Sequence, residues 1–206
     1  MSCKFCCVGC AVLGAAVFLS AGMFAQETKG PPKMSAEDQA MMEAYKSYGT
    51  PGEPHARLVK KAGNWNIAVK MWHSPDMEVP EESTATSRIK AIMGGRYILE
   101  KVKGEAMGMP FEGLGISGYD NLTKKFIGVW VDTMSTGIIH SEGTPAQYGD
   151  IINFEGTHPD PLRGKYVKSR SVERTISDDK FIFTSYKTSD DGREFKGMEL
   201  TYTRAE

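Results

Sequence analysis

His140 and Glu142 are separated by a single residue, in a segment whose sequence is typical of a strand. Side chains two positions apart in a strand point to the same face, so an imidazole and a carboxylate would lie side by side. Such a pair can transfer protons or hold a metal ion, because histidine titrates near neutral pH. Either chemistry needs a third partner, which the sequence does not name. The alternative, which we favour, is an ordinary exposed polar strand face.

The tryptophans of the same region are candidates for a ligand pocket, since such pockets are mostly apolar with a few polar groups. Trp65 lies on the apolar face of its strand and is predicted to be core. Trp72 lies an odd number of positions from Trp65 and is therefore expected on the opposite face of the strand. Trp130 shares a strand face with Asp132, an unusual pairing for a plain core, and we take these two as the first candidates for a cavity wall.

Whether His140 joins Trp130 depends on the loop between their strands. A three-residue loop places the two residues opposite each other, whereas a four-residue loop places Val129 opposite His140. A slip of one residue moves every side chain of the strand to the other face. We therefore name Trp72, Trp130, Asp132 and His140 as candidate ligand-binding residues and assign no catalytic residue.

Composition excludes several other functions. The formal net charge is −1, from 25 basic and 26 acidic residues, which argues against a nucleic-acid-binding protein. The four histidines lack the pairwise spacing of a structural zinc site, and we predict no metal and no cofactor. Gly113–Gly118 resembles a dinucleotide-binding G-x-G-x-x-G, but it precedes a strand, whereas that motif opens a helix.

The first 25 residues have the features of a secretory signal peptide. Lys4 is the only charged residue before Glu27, and the apolar stretch between them ends in small residues. We predict cleavage after Ala25 and a secreted or periplasmic protein; the alternative is an uncleaved anchor, the only membrane contact that we expect. Since all four cysteines lie in the first ten residues, cleavage leaves a chain without thiol chemistry.

The remaining chain is predicted to be a linker, 26–34, and one domain, 35–206. Ser35 is a candidate N-cap for a helix over 36–48, and a second short helix over 55–62 ends at Gly63. From Trp65 onward, apolar residues alternate with polar ones, and nine turn clusters separate ten strand-like segments. No long helical pattern interrupts them. We therefore predict a mainly β fold, an antiparallel up-and-down barrel, because closure of the sheet removes its exposed edges.

Several separated motifs match one known family across about residues 35–204. They are 52–55, Leu58, 63–65, 115–126, 130–132, 134–137, 142–144, 191–196, 198–199 and 202–204. In these motifs the chain resembles the DUF1579 family. The resemblance implies a calycin-like barrel, as in lipocalins, fatty-acid-binding proteins and nitrobindins, with an internal ligand cavity. It supplies no catalytic residues to transfer to this chain.

The leading functional hypothesis is therefore an exported, non-enzymatic barrel that binds a small apolar or amphipathic molecule inside. A hydrolase or isomerase using His140 with Asp132 or Glu142 is the first alternative, and it requires these side chains to converge in one pocket. The second alternative is an envelope protein-interaction module that docks through the N-terminal helices. Neither the identity of the ligand nor the oligomeric state follows from the sequence.

Overall fold

The structure is a computed structural model that describes residues 34–147 and 149–206. The predicted signal peptide, 1–25, and the predicted linker except Met34 lie outside the described residues. Within the described ranges, no helix is long and apolar enough to cross a membrane.

The first helix, α1 (Ala36–Gly49), begins at the predicted N-cap. The hydroxyl of Ser35 accepts a hydrogen bond from the backbone N–H of Asp38 at 3.1 Å, which satisfies one of the free donors of the first turn. None of the residues of α1 is buried. Its end is tied to the barrel by Asn121, whose side-chain amide donates to the carbonyls of Tyr48 and Thr50.

The second helix, α2 (Glu53–Val59), is shorter at its end than the sequence suggests. The backbone N–H of Gly52 donates to Nδ1 of His55 at 3.0 Å, so this histidine caps the helix start. Gly63 is not the residue that closes the helix. It opens the first strand with φ +145°, and Arg204 occupies the space that a side chain would need.

Ten strands follow the helices, as the alternating pattern predicts. They are β1 (Gly63–Met71), β2 (Glu81–Ile92), β3 (Tyr97–Ala106), β4 (Met109–Asp120), β5 (Lys125–Asp132), β6 (Ile139–Pro145), β7 (Ile151–Asp160), β8 (Lys165–Ser177), β9 (Lys180–Thr188) and β10 (Glu194–Arg204). Each strand pairs antiparallel with the next, and β10 pairs with β1, so the sheet closes into the predicted up-and-down barrel.

Two of the turn clusters of the sequence, 104–110 and 158–164, are narrower in the structure. Gly104 and Pro110 are strand residues, and only Met107 and Gly108, both with positive φ, turn the chain between β3 and β4. His158 likewise belongs to β7. Glycine and proline mark chain reversals on average, but hairpin pairing extends the strands over them here.

Helix α2 covers one end of the barrel, and a pocket of about 370 Å³ lies beside it, lined in part by Arg57, Phe126 and Thr175. Leu58 of α2 joins the core, and Arg57 lies over the Phe126 ring at 6.0 Å. The fully buried strand residues that face inward concentrate at this end. They are Trp65, Ile67, Ile89, Ile98, Val102, Phe126, Ile152, Phe181 and Tyr202.

Candidate functional site

The register of the strands separates the predicted site residues into two faces. Phe126 is buried in the core, and Trp130 and Asp132 lie four and six positions along the same strand, so they also face inward. His140 pairs with Val129, and its face is therefore the outer one. The register is therefore the one expected from a four-residue loop, with Val129 opposite His140. Trp130, Asp132 and His140 do not form a cluster.

Glu142 shares the outer face with His140, and its carboxylate contacts the ammonium of Lys125. Both residues are exposed. The favoured interpretation of this pair as a polar strand face agrees with the structure. Since the sheet separates Asp132 from the outer pair, these residues do not converge as the hydrolase or isomerase hypothesis requires.

Trp72 also lies on the outer side of the barrel, because it follows Met71, an inward position of β1. Its ring packs against the Lys196 ammonium, 5.0 Å from the ring centroid, and its backbone N–H donates to Gly197. Of the four candidate ligand-binding residues, the structure thus places two, Trp130 and Asp132, inside the barrel.

Trp130 has a fixed position on the inner wall. Its indole N–H donates to Oδ2 of Asp132 at 2.8 Å, and Oδ1 of that carboxylate accepts the backbone N–H of Met134 at 2.9 Å. The ring lies over Gly113 and Gly115 of β4, where an added Cβ would overlap it or lie 3.1 Å from it. The glycines of the dinucleotide-like sequence thus make room for an indole.

We expect Gly113→Ala to lower the free energy of unfolding by about 1–3 kcal/mol, because the new methyl group overlaps the Trp130 ring. Urea unfolding measures this change. Gly49→Ala is the matched control, since nothing lies within 4 Å of a Cβ at that position. A smaller loss in a Trp130→Ala background would identify the ring as the cause, and an equal loss in both backgrounds would contradict it.

The half of the barrel away from α2 is less densely packed. Val69, Phe154 and Phe183 each lie two positions farther from α2 than a fully buried inward residue, and all three are only partly buried. The other inward residues of this layer share that partial exposure. They are Ala85, Phe111, Trp130 and Leu200. Side chains that point into a closed barrel and keep accessible surface mark this level as the less filled part of the interior.

A group of polar side chains lies at the inner end of this less filled part. Glu100 accepts a hydrogen bond from the Ser87 hydroxyl at 2.7 Å and another from the Tyr202 hydroxyl. Glu173 pairs with the ammonium of Lys61, and each of these two side chains is only 11% exposed. We call these five residues the floor cluster.

Burial controls the ionisation of the floor cluster. It raises the pKa of Glu100, against the hydrogen bonds from Ser87 and Tyr202, which favour the carboxylate. Burial also raises the pKa of Tyr202 well above its ordinary value, and the negative charge of Glu100 adds to the effect. Tyr202 therefore remains a neutral hydrogen-bond donor across the physiological pH range.

Residues 50–204 of this chain match a protein family described as a protein of unknown function, DUF1579. The chain belongs to the DUF1579 family. No curated protein sequence is significantly similar to it.

The barrel of this DUF1579 protein is similar to two solved structures. Rv2717c from M. tuberculosis is 14% identical, with a TM-score of 0.52, over 76% of this chain and 100% of that one. A redesigned β-barrel is 17% identical, with a TM-score of 0.38, over 74% of this chain and 96% of that one. At this level of identity, the similarity to Rv2717c shows the fold alone.

The DUF1579 barrel has an inward histidine that sequence reasoning did not select. His158 has the same parity as Phe154 on β7, so it points inward, and burial together with the nearby charge of Lys187 lowers its pKa.

The floor cluster was missed as well. The alternation of β3 contained a signal for Glu100, because it places this acid on the face of Ile98 and Val102. The alternation of β8 contained none for Glu173, which shares its face with Ser169, Ser171 and Thr175.

The outer face of the same DUF1579 barrel carries a concavity of about 1010 Å³. Its lining includes His140 and Glu142, together with other outward residues such as Ile127, Tyr186 and Arg170. Charges of both signs are mixed along its wall. Because its side chains lie on the outer side of the sheet, this surface is distinct from the inside of the barrel.

Proposed function

We propose that this protein is an exported barrel that binds a small apolar or amphipathic molecule in the space inside its less densely packed half. The observation that carries the proposal is the layer of inward side chains that remain partly exposed beyond the α2 end. Its signal-like first 25 residues support export.

The chemistry of the layer suits such a ligand. Phe111, Phe154 and Phe183 supply aromatic surface, and Trp130 lies flat against the wall with its only polar atom already bonded to Asp132. Apolar walls with a few placed polar groups are the usual composition of small-molecule sites. Transfer of an apolar ligand from water onto this surface is favourable by roughly 25 cal/mol per Å² buried.

Entry is expected at the end opposite α2. The α2 end holds the fully buried core, so a ligand that entered from the pocket beside α2 would have to displace core side chains. At the other end, Arg193 pairs with Asp76 and Asp191, which ties the β1–β2 loop to the β9–β10 turn. These contacts fix part of the rim.

The binding proposal is tested with Nile red, a neutral apolar dye that fluoresces in apolar surroundings. We expect Ser171→Phe to weaken dye binding at least about tenfold, or about 1.4 kcal/mol, because Ser171 pairs with Phe154 and Ser185 on the inner wall. Lys168→Phe on the exposed face of the same strand is the matched control and should bind the dye as the parent protein does.

Unchanged dye affinity in Ser171→Phe, with circular dichroism showing a folded barrel, would contradict internal binding. So would a folded parent protein that does not bind the dye. Native mass spectrometry of the protein from its own host then identifies the natural ligand from the added mass.

The exposure of α1 is the observation that favours the alternative of an interaction module. Met41, Met42, Tyr45 and Tyr48 are all exposed on a helix with no buried residue. The same mass spectrum distinguishes the two functions, because a small-molecule mass indicates a ligand and a protein-sized mass indicates a partner.

A further inference from the structure

The floor cluster brings side chains from different parts of the chain to one place inside the barrel. Lys61 comes from the connection between α2 and β1, and the other four residues come from separate strands. Contacts within the cluster join them in two groups, Lys61 with Glu173, and Ser87 with Glu100 and Tyr202. A polar group of this size inside an apolar barrel requires an explanation, since burial of charge is costly.

The charges of the floor cluster do not balance. Lys61 is engaged by Glu173, and its ammonium also lies 4.9 Å from the centre of the Phe181 ring. Glu100 receives hydrogen bonds from hydroxyl groups only, and none of the ion pairs among the described residues includes it. Two acidic side chains therefore share one ammonium, and Glu100 is the acid without a cationic partner.

Glu100 faces the interior of the barrel, because it pairs with the core residue Ile89. Its side chain is deeply enclosed by protein, yet the residue keeps part of its surface accessible. The residue that pairs with it on β4 is Gly115, which has no side chain to cover the carboxyl group. The Trp130 ring lies over that glycine. An aromatic ring therefore occupies the strand position next to Glu100 on the inner face of the sheet.

We propose that Glu100 receives a cationic head group, so that the ligand of this barrel is an apolar molecule carrying a protonated amine. The inference rests on the proposed function, since it assigns one end of the internally bound molecule. The ammonium supplies the missing countercharge and donates hydrogen bonds to the Glu100 carboxylate. The apolar part then extends from the floor cluster along Phe154 and Phe183 towards the end opposite α2.

Binding of an amine is coupled to proton release. Burial raises the pKa of Glu100, and protonated Glu100 must lose its proton to form an ion pair with the ammonium. The titratable groups that act on Glu100 are Lys61, Glu173 and Tyr202, from the α2–β1 connection, β8 and β10. Amine affinity should therefore rise with pH up to the pKa of Glu100, by at most about tenfold per pH unit.

The test is displacement of Nile red by decylamine, decanol and decanoate, three ligands with equal chains and different head groups. We expect decylamine to bind at least about tenfold more tightly than decanol at pH 7.5, and this ratio to fall as the pH is lowered and Glu100 takes up its proton. Glu100→Gln should remove the preference and leave decanol unchanged. Glu155→Gln, an exposed outward carboxylate on β7, is the matched control and should retain it.

Equal affinity for decylamine and decanol, a preference for decanoate, or a preference that survives Glu100→Gln would overturn the head-group assignment while leaving the internal site intact. Failure of all three ligands to displace bound dye would also overturn it. Failure of the dye itself to bind, or its binding at the outer face, instead removes the proposed function. If Glu100→Gln does not fold, the parent protein decides, since equal affinities for decylamine and decanol contradict the assignment.

Discussion

Trp65→Ala is expected to lower the free energy of unfolding by about 3–5 kcal/mol, the usual loss for removal of a large aromatic side chain from a core. Trp65 is 1% exposed, and its indole N–H donates to the carbonyl of Lys61 at 2.9 Å. Its ring packs edge-on against Phe181 and Tyr202, with centroids 4.9 and 6.4 Å away. The substitution leaves a cavity at the α2 end, where β1 and β10 complete the barrel. Urea-induced unfolding followed by circular dichroism measures the loss.

Trp72→Ala is the matched control, because Trp72 follows the same strand on the outer side. Removal of its ring forfeits the contact with Lys196, for which about 0.5–1 kcal/mol is typical at exposed sites, together with its partial burial. We therefore expect a clearly smaller loss than at Trp65. Equal losses at the two positions would show that the inner and outer faces are assigned incorrectly.

Lys61→Met is expected to cost about 3–5 kcal/mol at neutral pH, because it removes the only cation of the floor cluster and leaves the buried Glu173 carboxylate without its ion pair. The methionine fills most of the volume of the lysine stem, so the loss reports the missing charge. Protonation of the unpaired carboxylate at low pH should recover part of the stability. Thermal and urea unfolding at pH 7.5 and pH 4.5 measure both effects.

The control for this ion pair is Lys70→Met, which breaks an exposed contact with Glu82. Exposed pairs contribute roughly 0–1 kcal/mol, so little change is expected there. The double variant Lys61→Met with Glu173→Gln should be more stable than Lys61→Met alone, since it no longer buries that unpaired charge. A Lys61→Met protein as stable as Lys70→Met would refute the role of Lys61 in the floor cluster.

The elements of the fold could be predicted from local signals. Ser35 is a good N-cap because its hydroxyl accepts the Asp38 N–H within the same turn. The turn at Asp120 was also predictable, since its carboxylate accepts the backbone N–H groups of Leu122 and Thr123, which lower its pKa. Each of these interactions joins residues only two or three positions apart, so a short stretch of sequence contains both partners.

The candidate site was predictable only in part. Trp130 and Asp132 share a face because alternation along one strand is local, and their hydrogen bond confirms that they meet. Their relation to His140 depended on the loop that joins β5 to β6, and the register with Val129 opposite His140 turns the histidine outward. The floor cluster joins Lys61 to Glu173 across 112 positions of the chain, a distance over which no periodic pattern indicates contact.

The sequence by itself therefore determined the ten strands, the two helices, the core position of Trp65 and the membership of the DUF1579 family. These features depend on spacing, turn chemistry and side-chain type along short stretches. Only the tertiary structure decided which strand faces point inward, where α2 covers the barrel and which acid lacks a cation. Those properties arise when the sheet closes, because closure brings distant residues into one enclosed space and gives every strand an inside and an outside.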